Sequence, residues 1–178
     1  MTSHAPTPPG HVVWAGSSWQ LRLHQLTLPD GQTIERGIID HPGSVLLLPL
    51  QDDDVWMLRQ YRLALNQTIL ELPAGTRHPH ESWLECAQRE LREETGYRAA
   101  HFTSLGNIWL APGISNERMA LYLATGLTAD PLPGDPDEEI TVQRIPLATA
   151  VHMALDGQLE DAKSIVALFR AQNLLVAR

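Results

Sequence analysis

The chain has 178 residues, with 13 Lys plus Arg against 21 Asp plus Glu and a formal net charge of −8. That length gives one domain with room for a real core. The acidic balance argues against bulk nucleic-acid or anionic-membrane binding, but not against a phosphate substrate where a metal inverts the local field. A single cysteine, Cys86, rules out an internal disulfide and fits a reducing cytoplasm. No apolar run nears the roughly 18 residues of a membrane span, and no signal peptide is visible.

The opening segment, with Pro6, Pro8, Pro9 and Gly10 among polar neighbours, reads as a frayed tail. Residues 19–28 largely alternate apolar and polar side chains, Pro29-Asp30-Gly31 turns, and 32–40 returns, which makes a hairpin. Trp14 and Trp19 offer ring faces for a base, although five Trp against two Phe also suits Trp as plain core aromatic. Residues 44–50 are nearly continuously apolar, a strand buried on both faces. Gln51-Asp52-Asp53-Asp54 turns the chain into a partner strand over 55–61, so the acid triplet reads as a hairpin tip and not as a metal site.

Gly75 closes Glu71-Leu72-Pro73-Ala74-Gly75, where a strand must turn sharply into a loop. Ser82 followed by Glu85 is a capping-box pair that starts a helix at Trp83, and Gly96 supplies the left-handed stop after Thr95. Cys86 and Ala87 are small enough for close approach, and Leu84 with Leu91, two turns apart, gives the face that packs on a core. Strands follow over 101–110 and 119–125. Residues 130–139 form a Pro/Asp/Glu-rich loop, too long for a tight turn and so a functional candidate. A strand over 140–145 precedes a helix opened by Pro146 and stopped near Gly157, and Asp161 caps a last helix through about Leu175. The pattern is α/β (α+β): an α/β/α sandwich around a mixed sheet, with an N-terminal β-hairpin extension.

Within the central helix, Glu90, Glu93 and Glu94 stand three and four residues apart and project from one face. Like charges at that spacing cost an isolated helix a few tenths of a kcal/mol per pair, about 0.2–0.5. Bringing them together in a partly dry site also raises some of their pKa values. A hard divalent cation removes both problems, because Mg²⁺ prefers a few carboxylate oxygens with waters and substrate phosphates. His78 and His80 beside Cys86 lack zinc-site spacing and read as loop histidines.

Gly75, five residues, Glu81, seven residues, Arg89-Glu90, an aliphatic residue, one free position, Glu93-Glu94, one free position, Gly96 and a bulky hydrophobic residue fill every fixed position of the Nudix box. The chain therefore resembles a Nudix hydrolase, with Tyr97 as a soft departure where the family more often has an aliphatic residue. Beyond the box it is similar to the ADP-ribose pyrophosphatase branch. The features that carry this are His41-Pro42-Gly43, Arg59-Gln60-Tyr61-Arg62, Glu71-Leu72-Pro73-Ala74-Gly75, and Ala111-Pro112-Gly113 before Ser115-Asn116-Glu117. Pro112 lies near that branch's diagnostic proline, a context shared with relatives that cleave other nucleoside diphosphate sugars.

The resemblance implies Mg²⁺-dependent hydrolysis of the pyrophosphate bond of ADP-ribose or a related nucleotide sugar, with two or three ions for which Mn²⁺ substitutes. It makes Glu90 and Glu94 direct metal ligands, with Glu93 joining or bridging and the Ala74 carbonyl as a neutral ligand. Arg89 orients the glutamates, and Glu81 is either a water-mediated ligand or a holder of the loop. The general base is drawn from the acidic loop, Glu138 first and Glu139 next, with Glu93 competing. Arg59 meets the diphosphate, Arg36 reaches a neighbouring subunit's site, and Glu117 accepts from the terminal ribose. Pro112 and Gly113 join the substrate site, and Trp19 stacks on the base. Family relatives are homodimers that exchange N-terminal strands, which divides the chain into a dimerising segment, 1–40, and a hydrolase domain, 41–178. The alternatives are another Nudix substrate, such as GDP-mannose, NADH or a dinucleoside polyphosphate, or a non-catalytic nucleotide-sensing domain. The last typically has lost box glutamates, all of which are present here.

Overall fold

The computed structural model describes residues 10–135 and 139–176. It opens on three antiparallel strands, β1 (His11–Ala15), β2 (Gln20–Thr27) and β3 (Thr33–Asp40), in the order β1-β2-β3. The expected hairpin is β2 with β3, in unbroken register from Gln20↔Asp40 to Thr27↔Thr33. Its turn is held by the Gln32 N–H donating to Asp30 at 3.0 Å, with Gly31 at φ 86° where a side chain would be strained. β1 is an addition to the sequence reading. All five of its residues are exposed, so their apolar side chains follow no core face that periodicity would detect.

The second sheet contains β4 (Ser44–Gln51), β5 (Asp54–Arg62), β6 (Gln67–Glu71), β7 (Ala74–Thr76), β8 (Tyr97–Trp109), β9 (Arg118–Ala129) and β10 (Ile140–Pro146). Its main order is β10-β5-β4-β9-β8, with β6 paired to β5 and β7 to β4. β4 and β9 run parallel while the other pairs are antiparallel, so the sheet is mixed, as expected. β4 is buried on both faces because its side chains alternate between two layers. Val45 and Leu47 pack with Cys86, Ala87 and Leu91 of helix α1 (Trp83–Thr95). Leu46 and Leu48 pack on the opposite face, with Ala150 and Val151 of α2 (Leu147–Leu155) and Leu168 and Ala171 of α3 (Ala162–Val176). This is the α/β/α sandwich read from the sequence.

One expected pairing is corrected. β4 and β5 form a ladder only at their turn, Leu50↔Val55 and Gln51↔Asp54, and then diverge. β6 and β7 fill the gap: β6 runs beside β5 from Arg62↔Gln67 to Leu58↔Glu71, and β7 runs beside β4 from Ser44↔Thr76 to Leu46↔Ala74. Between them, the Pro73 carbonyl accepts from the Leu47 N–H at 2.8 Å. The divergence brings the backbone of Ala74 and Gly75 into the middle of the sheet, beneath α1.

α1 starts and stops where local chemistry dictates. The Ser82 hydroxyl accepts from the Glu85 N–H at 3.2 Å, Glu85 accepts from the Ser82 N–H at 2.8 Å, and Gly96 ends the helix at φ 78°. The packing face is corrected in part. Leu91 is fully buried, but Leu84 is 51% exposed, because Trp83 covers the sheet at that end. The Trp83 ring fits against Gly43, where an added Cβ would stand 2.4 Å from it, and carries the Arg77 guanidinium 4.8 Å above its centre. Pro146 precedes α2, and Asp161 accepts from the Ser164 N–H at 3.1 Å to start α3, both as expected. No described helix is long and apolar enough to cross a membrane.

Candidate active site

The site forms where α1 crosses the gap between β4 and β5. Helical spacing places Glu90 and Glu94 on the inner face, both more than nine-tenths buried. The Ala74 N–H donates to Glu94 at 2.9 Å. Glu90 lies against Gly75 so closely that a Cβ there would fall 1.9 Å from its carboxyl carbon. Gly75 is thus required by close approach; its φ is not in the left-handed region.

Arg89 ties the acids together. Its Nη1 donates to Glu90 and Glu93, both at 2.8 Å. Its Nε and Nη2 reach the two carboxyl oxygens of Glu81 at 2.8 and 3.0 Å, and Nη2 also donates to the Thr76 carbonyl at 3.0 Å. The Arg89 hydrogen bonds hold the Glu81 carboxyl at about 2, against burial that acts to raise it, and the His78 N–H at 2.9 Å adds to the lowering. Burial on its own lowers the Arg89 pKa, but Glu81, Glu90 and Glu93 reverse that and raise it. Glu81 spends both oxygens on Arg89 and the loop backbone, which favours the loop-holding side of its two expected roles. Burial raises the Cys86 thiol well above its usual range, with Glu90 and Glu81 adding to the effect.

Three carboxylates accepting from one guanidinium leave a formal excess of negative charge in a half-dry setting, which is costly without a further cation. The donor set is all hard oxygen: carboxylates from α1 and the half-buried backbone of Ala74–Thr76. It fits a divalent ion such as Mg²⁺ better than a softer metal. Among the described residues no three His, Cys, Asp or Glu side chains converge on one point; the glutamate oxygens are turned to Arg89 and the Ala74 N–H.

A groove runs out from this cluster. One hollow of about 300 Å³ is lined by Glu90, Glu93, Arg89, Arg62, Asp135 and, from the β1–β2 turn, Ser17 and Ser18. Through Arg62 and the Ala74–Thr76 backbone it joins a hollow of about 330 Å³ that holds Ser44, Glu117 and Lys163. Through Ser17 and Ser18 it joins a third, about 280 Å³, bordered by Trp19, Arg22 and His41.

The sequence-derived candidates divide accordingly. Glu90 and Glu93 meet at Arg89, Glu94 meets the Ala74 N–H, and Glu117 lies along the groove, accepting from the Ser44 hydroxyl at 2.7 Å. Trp19 borders the third hollow and packs on Trp14, ring centres 4.4 Å apart. Trp14 and Trp109 are about half exposed, so among the Trp residues the core-aromatic reading suits Trp56, which is buried, and Trp83 in part. Arg59 is not in the groove. It donates to Gln143 at 3.2 Å and borders a separate hollow with Gln158 and Glu160. Alternation along β5 explains this: Arg59 shares the face of Met57, towards α2 and α3, whereas Arg62 has opposite parity. Arg36 is in neither of the hollows beside the glutamates; it lines one of about 580 Å³ with Leu26 and Ile38, which shares Arg22 and Asp40 with the third hollow. Pro112 and Gly113 are exposed in the turn whose Ile114 carbonyl accepts from the Ile39 N–H, where the N-terminal sheet docks. Glu139 is exposed, and Glu138 lies outside the described residues.

Arg62, Asp135 and Lys163 line the groove and escaped the sequence reading. Arg62 was legible as part of Arg59-Gln60-Tyr61-Arg62, but the choice between its two arginines depends on strand parity. Asp135 lies in the acidic loop singled out at its other end.

The α/β/α sandwich sets a loop–helix–loop of acidic side chains on a splayed strand pair, an arrangement that suits metal-assisted hydrolysis of a phosphate anhydride. Residues 40–169 match the family model of the NUDIX domain, and the chain belongs to this family of hydrolases. It is 32% identical over 159 residues to an ADP-ribose pyrophosphatase of Bacillus subtilis (strain 168), covering 88% of this chain and 86% of that one. It is 33% identical over 162 residues to an ADP-ribose pyrophosphatase of Mycobacterium tuberculosis (strain ATCC 25618 / H37Rv), covering 86% and 76%. The crystal structure of an ADP compounds hydrolase superposes with a TM-score of 0.83 over 99% of this chain and 98% of that one, at 24% identity, a likeness of fold.

Proposed function

We propose that this Nudix hydrolase splits the pyrophosphate bond of ADP-ribose or a related nucleoside diphosphate sugar, giving a nucleoside monophosphate and a sugar phosphate. The observation that carries the reading is the cluster of Glu81, Glu90 and Glu93 around Arg89, set against the Ala74–Gly75 backbone where two hollows of about 300 and 330 Å³ meet. The similarity to two ADP-ribose pyrophosphatases supports the choice of substrate.

Glu90, Glu93 and Glu94 with the Ala74 carbonyl would hold two or three Mg²⁺ ions, for which Mn²⁺ would substitute. Bound there, the metal supplies charge neutralisation and a more acidic water. Arg89 gathers Glu90 and Glu93 beside the Ala74–Thr76 backbone. Arg62, its Nε and Nη2 held by Glu71, sets its positive charge beside the stretch where the diphosphate would lie, a role better placed there than at Arg59. The acidic loop that brings Asp135 to the groove supplies the base, Glu138 ahead of Glu139, with Glu93 as the competing group. Trp19 presents a ring to the base, and Glu117 accepts from the sugar.

Residues 1–40 act as a dimerising segment and 41–178 as the hydrolase domain, with the hollow around Leu26, Arg36 and Ile38 as the seat for a second chain's N-terminal strands. The enzyme works in the cytoplasm, in keeping with its lone, buried cysteine.

A panel of ADP-ribose, GDP-mannose, NADH and diadenosine polyphosphates with Mg²⁺, with products identified, tests the substrate. ADP-ribose is expected to give AMP and ribose 5-phosphate at the highest kcat/KM. Failure on every diphosphate-linked nucleotide would remove the reading.

A further inference from the structure

We infer that Lys163, at the start of α3 in the hollow that holds Glu117, reads a hydroxyl of the sugar on the second phosphate. The inference rests on the hydrolase reading above and extends it to a residue outside the box and its neighbouring motifs.

Glu71 is fully buried and accepts from Arg62 twice, at 2.8 Å each, and from Lys163 at 2.6 Å. The Arg62 fork already balances the Glu71 charge, so neutrality at Glu71 does not require Lys163. The lysine also donates to Asp161 at 2.9 Å. An ammonium has three N–H donors; two are spent on these carboxylates, and the side chain borders the hollow of about 330 Å³. Its stem is held, with 13% of the side chain exposed, so a third bond is made at little further entropic cost.

The lining indicates the ligand class. Lys163 can donate, Glu117 and Asp161 accept, the Ser44 hydroxyl gives its proton to Glu117, and Met119 and Leu110 provide an apolar wall. The two carboxylates disfavour a phosphate, whereas vicinal hydroxyls both donate and accept and meet either kind of partner. The phosphates belong instead to the stretch shared with the glutamates, at Arg62 and the Ala74–Thr76 backbone. The volume is at the small end of ligand pockets, room for a pentose or hexose. The sugar end is therefore selected by hydroxyl pattern more than by size.

The test uses the full chain and two probes, ribose 5-phosphate and AMP, titrated calorimetrically against the wild type, Lys163→Met and Lys163→Arg. Lys163→Met is expected to weaken ribose 5-phosphate binding about tenfold or more, to raise KM for ADP-ribose similarly, and to leave AMP binding unchanged. Lys163→Arg keeps the charge beside Glu71 but displaces the donor; it shows the same selectivity even if Lys163→Met fails to fold. Equal weakening of both probes, or an unchanged ribose 5-phosphate affinity, overturns the inference. A wild type that binds ribose 5-phosphate through Lys163 yet cleaves no nucleotide sugar sinks the proposed reaction and leaves the subsite standing.

Discussion

Gly75→Ala separates folding from catalysis. An ideal Cβ at this position lies 1.9 Å from the Glu90 carboxyl carbon and 2.0 and 2.2 Å from its oxygens. Non-bonded carbons settle at about 3.5–4.0 Å, so the Glu90 carboxylate must retreat by roughly 1.5–2 Å. It then leaves its place over the Ala74–Gly75 backbone and strains its 2.8 Å bond from Arg89. Gly75 is not at positive φ, so the substitution adds no backbone strain. The clash is with the end of a buried side chain and not with backbone, which places the folding cost in the overpacking range of about 1–3 kcal/mol. For a domain of this size each kcal/mol lowers Tm by about 2–4 °C. Misplacing a reacting group by about 1 Å can cost about 10²-fold in rate, so kcat with ADP-ribose should fall by at least that factor. Thermal unfolding and steady-state kinetics on the same preparation decide the matter. A folded Gly75→Ala protein with near-normal kcat would refute the placement of Glu90.

Arg89→Lys exchanges a fork that reaches Glu81, Glu90, Glu93 and Thr76 for a single ammonium. It should lower kcat/KM about 10²-fold and stability by about 1–3 kcal/mol; wild-type kinetics would count against a positioning role. Glu94→Gln keeps an oxygen for the Ala74 N–H, so Tm should stay near wild type while turnover is largely lost; nearly normal turnover argues against Glu94 as a metal ligand. Glu81 has its folded pKa lowered from 4.5 to about 2, so its stabilising contribution is complete above pH 4.5 and drains away as pH falls towards 2. Denaturant midpoints of Glu81→Gln should accordingly vary less with pH across that window than those of the wild type, and parallel curves would contradict the assignment. Glu138→Gln should flatten the alkaline-rising limb of the pH–rate profile; an unaltered profile moves the base to Glu139 or Glu93.

Legibility in the sequence followed the range of the interactions. α1 was readable end to end because its determinants are local: the Ser82–Glu85 box, the Gly96 stop and the spacing of Glu90 and Glu94. β4 was readable because a strand buried on both faces is apolar throughout. The divergence of β4 from β5 was not, since the wedge that parts them, β6 and β7, lies beyond the turn and pairs with each strand separately. The choice of Arg62 over Arg59 depended on the parity of β5, a property of the assembled sheet. Leu84 misled because seven-residue spacing identifies a face of the helix but not how far the sheet extends beneath it, and Trp83 already covered that end. Lys163 gave no sequence signal, because its meaning comes from Glu71, 92 residues away in the chain.

Magnesium uptake by calorimetry, with a non-hydrolysable methylene analogue of ADP-ribose present, bears most directly on the central claim. The wild type should take up the ion saturably, and the Glu90→Gln/Glu94→Gln double variant should not, while keeping a wild-type unfolding profile. Equal uptake by both proteins, or none by the wild type, would show that these carboxylates are gathered for some other purpose.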